Sequence, residues 1–127
     1  MTALVLDAGF LLRVEKRDRQ CAALLKVALG RSWSLRSNGA VLAEVWRGGA
    51  GGQAPLTALL HAVDVVAVDE NLGRAAGTLI RDAGGGTAID ATVVAVADSG
   101  DRIVTSDPHV IESLVNASGR VITVVTC

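Results

Sequence analysis

Four acids stand where this sequence gives them unusual surroundings. Asp7 ends the apolar run "TALVL", and Asp107 closes "RIVTSD", with Pro108 directly after it. An Asp followed by Pro is also a good helix start, because the carboxylate accepts orphan amide hydrogens and proline fits the first helical position. Glu44 is the only charged residue between Ser37 and Trp46, with Ala40 and Val41 one helical turn before it. Asp90 precedes Val93 and Val94 by one turn, so it heads an apolar helix face. Each has an ordinary reading: Glu44 as a side chain that reaches water or meets an arginine, Asp90 as a first-turn acid favoured by the helix dipole. Taken together, two acids at strand ends and two on core-directed helix faces form a candidate cluster.

A bare cluster of this kind is costly. Unit charges about 6 Å apart repel by roughly 3 kcal/mol at an effective dielectric of 20, so protons or a cation must offset them. Carboxylates without His or Cys suit a hard ion, Mg²⁺ or Mn²⁺, rather than zinc. His61 and His109 fit no zinc pattern and read as helix-surface residues. Cys21 and Cys127 lie far apart in sequence, with no CxxC and no metal-ligand spacing, which favours a reducing compartment.

The elements that must position these acids follow from periodicity. Residues 3–6 read as a buried strand, and a helical pattern from Asp18 through Cys21, Leu24, Leu25 and Ala28 stops at Gly30. A helix is expected from about Asn38 to Arg47, a flexible turn over "GGAGGQ", and a helix from Pro55 to about His61. Residues 63–68 read as a strand, Asp69 caps a helix over 70–83, and Gly84-Gly85-Gly86 ends it. Thr87 caps the helix carrying Asp90; a strand over 102–105, a helix over 108–115 and a strand over 120–125 complete the chain. Strands alternating with helices predict an α/β fold, with a mostly parallel sheet flanked by helices on both faces. In such sheets the ligand crevice lies outside the carboxyl ends of the strands, which is where Asp7 and Asp107 fall.

Composition limits the functions available. The 127 residues are 50% hydrophobic, enough for one domain with a sizeable core. Aromatics are confined to Phe10, Trp33 and Trp46, so stacking of bases on aromatic platforms is not expected. The net charge of −1 provides no global basic field. The densest basic segment, Arg13, Lys16, Arg17 and Arg19, is interleaved with Glu15 and Asp18 and reads as a solvated helical face. The opening apolar run lacks a basic leader and stops at Asp7, and the longest uncharged stretch contains several glycines, so neither a secretory signal nor a membrane span is expected. The reading is a cytoplasmic protein.

Four strings, "LVLDAGFLL", "AVLAEVWRGG", "AIDATVVAVA" and "VTSDP", together resemble in order and spacing the PIN-domain nucleases, specifically the small VapC-type toxins of bacterial toxin–antitoxin pairs. The resemblance spans essentially the whole chain and implies a single PIN domain over residues 1–127. It implies Asp7, Glu44, Asp90 and Asp107 as the metal-binding and catalytic acids, with the Thr105 hydroxyl supporting them. It also implies Mg²⁺ or Mn²⁺ as cofactor, RNA as substrate and a homodimer. The reaction would be endoribonucleolytic hydrolysis by a metal-activated water, leaving 5′-phosphate and 3′-hydroxyl ends. The motif "EVWRGG" places Arg47 beside the acidic helix, as a contact to phosphate or to an acid, or as a structural ion pair. One position departs from the family: a Ser, Thr or Asn usually stands two residues after the first acid, and here that residue is Gly9.

A cognate antitoxin is implied as partner, covering the acidic pocket with a helical segment. An apolar groove beside the pocket is expected from the helices of residues 18–29 and 39–47. The alternative function is a non-catalytic PIN-like module that binds RNA or a partner through a weakened metal site. Two further enzyme classes with a strand-end Asp fit poorly. A haloacid-dehalogenase-like phosphatase needs a second Asp where Gly9 stands. A response-regulator receiver needs a lysine on a late strand, and both lysines here precede residue 27.

Overall fold

Ala3–Leu6 is entirely buried, as a strand covered on both faces by helices must be. It forms β1 (Ala3–Leu6), followed by α1 (Ala8–Glu15), α2 (Arg19–Gly30), β2 (Ser34–Asn38), α3 (Gly39–Val45) and α4 (Ala54–Leu60). The second half runs β3 (Val63–Val66), α5 (Glu70–Ala83), α6 (Ala88–Ala95), β4 (Arg102–Thr105), α7 (Pro108–Ser118) and β5 (Thr123–Thr126). The structure, a computed structural model, describes residues 1–48 and 52–127. The expected turn over "GGAGGQ" therefore lies partly outside the described residues.

All five strands are parallel, in the order β3-β2-β1-β4-β5, with seven helices flanking the sheet among the described residues. The register sets Leu6 beside Val104, so the chain leaves β1 and β4 at the same edge of the sheet. Leu4, Leu6, Phe10, Leu11, Ile103, Ile111 and Leu114 are fully buried around this central pair. Each contributes roughly 1.5–3 kcal/mol by removal from water, before conformational entropy is charged against it.

Two elements differ from the sequence reading. β2 was not expected as a strand, because "SLRSN" has no apolar run. Its charge is answered within the fold: the Arg36 guanidinium bonds the Val96 carbonyl and the Asp101 carboxylate, each at 3.0 Å. Asp101, 3% exposed, is fully engaged, since it also accepts from the amides of Ala3 at 2.9 Å and Asp98 at 2.8 Å. α1 was also not expected; it starts directly at Asp7, whose carboxylate accepts the Phe10 amide hydrogen and caps it.

Several boundaries follow local chemistry. Asp69 caps α5 at the Leu72 amide, and Gly84, at φ 75°, ends it in the left-handed region. β3 stops at Val66 rather than residue 68. β5 starts at Thr123 rather than residue 120, because Gly119 turns the chain at φ 69° and the Arg120 guanidinium binds the Ala95 and Ala97 carbonyls after α6. The basic segment is a solvated face, with Lys16, Arg17 and Arg19 exposed and Arg13 paired with Asp18 at 2.8 Å. No described helix is long and apolar enough to cross a membrane.

Candidate functional site

At the carboxyl edge of β1, Asp7 is 6% exposed and its Oδ1 accepts from the Phe10 amide at 2.8 Å. Burial pushes its pKa above the usual carboxylate range, and the charge of Asp90 adds to the rise. The Thr105 hydroxyl and the amides of Phe10 and Ser106 act the other way, favouring the charged form. A buried acid held this way, with a second acid within electrostatic reach, is the environment a cation relieves.

The neighbouring strand β4 delivers Thr105, fully buried, and then Asp107. The Thr105 Oγ1 accepts the Asp107 amide hydrogen at 2.9 Å, and the same hydroxyl favours the charged form of the Asp7 carboxyl. Asp107 sits at the N-cap position of α7 with Pro108 following, yet its side chain makes no capping hydrogen bond. Its exposed carboxylate is left free for another role, contrary to the simple capping reading of Asp-Pro.

Asp90 occupies the first turn of α6, where Thr87 Oγ1 accepts its amide hydrogen at 3.1 Å and sets the helix start. Glu44 is exposed on α3 and not on the core-directed face expected of it, which is formed by Val41 and Val45; α3 packs against both α1 and α6, the helices beginning near Asp7 and carrying Asp90. The structure thus sets Asp7 and Asp107 after adjacent strands, bonds the Asp107 amide to Thr105, and leaves Thr105 and Asp90 close enough to Asp7 to shift its pKa, while no hydrogen bond or ion pair among the described residues ties Glu44 to them. No three of the four acids converge to within 4.8 Å among the described residues; the group that does is Asp18, Cys21 and Cys127. Although 106 residues separate the two cysteines in sequence, the fold brings their Sγ atoms to 3.2 Å, a proximity their spacing did not indicate.

Gly9 gains an explanation. A Cβ built there would lie 2.1 Å from Ser106 Oγ, 3.1 Å from Ser106 Cβ and 3.6 Å from Asp7 Oδ1. The Ser106 hydroxyl therefore fills the space that a side chain at position 9 would need, beside Asp7. Neither Ser106 nor Asn38 stood out in the sequence. Asn38, ending β2 and fully buried, caps α3 by accepting from the Ala40 and Val41 amides at 2.9 and 3.1 Å, while its Nδ2 is buried without a partner. Asn38 read only as the start of a helix, because the strand before it was not expected.

Arg47 is exposed, and its guanidinium donates to the Ala43 carbonyl at 3.2 Å and the Trp46 carbonyl at 2.7 Å, closing the end of α3 rather than meeting a carboxylate. His61 and His109 are exposed, as expected. An apolar groove of about 250 Å³ runs between α1, α2 and α4, lined by Val14, Arg17, Asp18, Ala22, Leu25 and Pro55. Residues of α2 line it as expected, whereas α1 and α4 stand where α3 had been expected, and none of the four acids lines it, since Val14 lies at the end of α1 away from Asp7.

No protein-family model matches the chain, and no curated protein sequence matches it. Among solved structures, a chain from the crystal structure of VapBC2 from Rickettsia felis, bound to a DNA fragment from their promoter, superposes with a TM-score of 0.72. The two are 13% identical, and the match covers 100% of this chain and 99% of the other. The chain shares the α/β architecture of that structure across its full length.

Proposed function

We propose that this chain is a PIN-type toxin, a metal-dependent endoribonuclease held in check by a cognate antitoxin. The observation that supports the reading is that Asp7 and Asp107 follow adjacent parallel strands, with Thr105 accepting the Asp107 amide hydrogen and the charge of Asp90 adding to the raised pKa of Asp7. Asp101, at the other end of β4, provides the contrast. That structural acid is satisfied by two amides and a guanidinium, whereas Asp7 is buried beside another acid and Asp107 leaves its capping position unused.

The donor set fits Mg²⁺ or Mn²⁺, being made of carboxylates alone. Asp7, Asp90 and Asp107 would hold the ion, with Glu44 on the neighbouring helix completing the acidic rim. A bound divalent ion lowers the pKa of a coordinated water and neutralises charge developing on a phosphate. The chain's own part is orientation: Phe10, Ser106 and Thr105 fix the Asp7 carboxyl, and Thr105 sets the Asp107 backbone. The Ser106 hydroxyl supplies at that spot the polar group that Gly9 lacks. The unpaired Asn38 Nδ2 is a spare hydrogen-bond donor at the same edge of the sheet.

An antitoxin helix would lie in the groove between α1, α2 and α4, placing apolar side chains against Val14, Ala22 and Leu25. An arginine from it would suit the acids, since guanidinium bonds carboxylates in pairs. The likeness to VapBC2 supports this reading of the partner through the shared fold.

The test is thermal melting of the wild type and Asp7→Asn in Mg²⁺, Mn²⁺ and chelator. An ion at a hundred times its dissociation constant stabilises the folded state by about 2.7 kcal/mol. With an unfolding entropy of about 0.27 kcal/mol/K for 127 residues, that is a rise of roughly 10 °C. Asp7→Asn should lose most of it. Equal shifts in both proteins would place the ions elsewhere.

A further inference from the structure

Outside the acidic edge, one group of reactive side chains comes together that the nuclease reading does not use. Cys21 lies in the first turn of α2, its amide held by Asp18 Oδ1 at 3.0 Å. Cys127 follows β5, its amide bonded to the Thr105 carbonyl at 3.0 Å, which continues the parallel ladder. Both backbones are thus fixed by independent hydrogen bonds, and the Sγ atoms they present are 3.2 Å apart, with both cysteines free.

We propose that Cys21 and Cys127 form an oxidisable dithiol that closes to an intrachain disulfide, joining the first turn of α2 to the β5 edge of the sheet.

The alternative chemistry for this group is a soft-metal site with Asp18 as third ligand. Asp18 is poorly suited to it. Its Oδ1 already accepts the Cys21 amide hydrogen, and its Oδ2 takes the Arg13 guanidinium at 2.8 Å, so a cation would enter beside an existing positive charge. Two thiolates on one tetrahedral zinc stand about 3.7 Å apart, given zinc–sulfur bonds near 2.3 Å. At 3.2 Å the observed separation is shorter than that spacing, and the sulfurs would close by about 1.2 Å on forming a bond of about 2.05 Å.

The reaction balances with a small-molecule disulfide such as oxidised glutathione as oxidant. Cys127 is half-buried and Cys21 buried, so the Cys127 thiolate attacks first. It forms a mixed disulfide and expels one glutathione thiolate. Cys21 then gives up its proton and attacks the Cys127 sulfur, forming the Cys21–Cys127 bond and expelling the second glutathione, which takes the proton. Two protein thiols are oxidised and one glutathione disulfide is reduced to two thiols. Burial first, and the neighbouring Cys127 second, push the Cys21 thiol up to about 12, which agrees with its acting as the resolving rather than the attacking group.

The proposal is independent of the nuclease reading and is tested on the full chain without metal or RNA. The folded protein is incubated across a series of oxidised-to-reduced glutathione ratios, then followed by intact mass, non-reducing peptide mapping and thermal melting. The expected result is loss of two hydrogens per chain, a linked Cys21–Cys127 peptide, and a raised melting midpoint that dithiothreitol reverses. Cys127→Ser, at the sheet edge, should abolish all three, and serves even where Cys21→Ser fails to fold. Persistent glutathione adducts, a disulfide between two chains, or no change of mass would overturn the proposal. So would stoichiometric binding of Zn²⁺ or Cd²⁺ that needs both thiols and blocks oxidation, which would make the group a metal centre.

Discussion

Replacing Gly9 by Ala sets two effects of known sign against each other, and Ser106 decides between them. Alanine in place of glycine in a helix is worth up to about 1 kcal/mol, through propensity and a less flexible unfolded chain. Against this, the new Cβ would meet Ser106 Oγ at 2.1 Å and Ser106 Cβ at 3.1 Å. The hydroxyl can rotate away at a rotamer cost of about 0.5–1.5 kcal/mol, but the tight Cβ contact remains, and overpacking of this kind costs about 1–3 kcal/mol. The net expectation for Gly9→Ala is destabilisation by about 1 kcal/mol, a fall of roughly 4 °C in the melting midpoint. In a Ser106→Gly background both contacts vanish, and the same substitution should raise the midpoint by roughly 2–4 °C. The assay is a double-mutant cycle by thermal or denaturant unfolding, in chelator so that no ion contributes. Distant, independent sites add to within about 0.3–0.5 kcal/mol. If Gly9→Ala has the same effect in both backgrounds within that margin, the Ser106 side chain does not fill the space at residue 9 and the reasoning fails.

Asp7 carries a pH dependence with a definite sign. Its folded pKa is raised, first by burial, so the folded state holds this proton more tightly than the unfolded chain does. Its contribution to stability is therefore present below the ordinary carboxylate range and lost as pH rises through the folded value. In chelator, Asp7→Asn should gain stability over the wild type as pH rises through that window, because asparagine keeps the helix cap without the charge; unfolding curves at several pH values check this, and a difference independent of pH would contradict it. Leu25→Glu, in the groove between α1, α2 and α4, should abolish co-purification with a co-expressed antitoxin while leaving the metal-induced melting shift unchanged. Retained binding would move the partner elsewhere.

Much of this arrangement was legible in the sequence because it rests on local rules. The unbroken apolar run of β1 marks a strand buried on both faces, and Asp69 with Gly84 brackets α5. Asp7 stood out because it ends a buried apolar strand, whereas the apolar neighbours of Glu44 misled, since its side chain is exposed. What was hidden depends on partners distant in the chain. β2 looks too polar for a strand until Asp101, 65 residues on, answers Arg36. Gly9 looks like a missing group until Ser106 is seen over it. The cysteines look unrelated because the parallel ladder that brings Cys127 back toward α2 leaves no trace in their spacing.

If Asp7 and its neighbours serve metal-dependent RNA hydrolysis, as proposed, the purified chain should cleave a single-stranded RNA with divalent ion and not without it. The account predicts products with 5′-phosphate and 3′-hydroxyl ends in Mg²⁺ or Mn²⁺. It predicts none in chelator, and none from an Asp7→Asn variant shown by melting to be folded. RNA left intact by the wild type in either ion, or cut equally by Asp7→Asn, would contradict it and leave a PIN-like fold that binds without cutting.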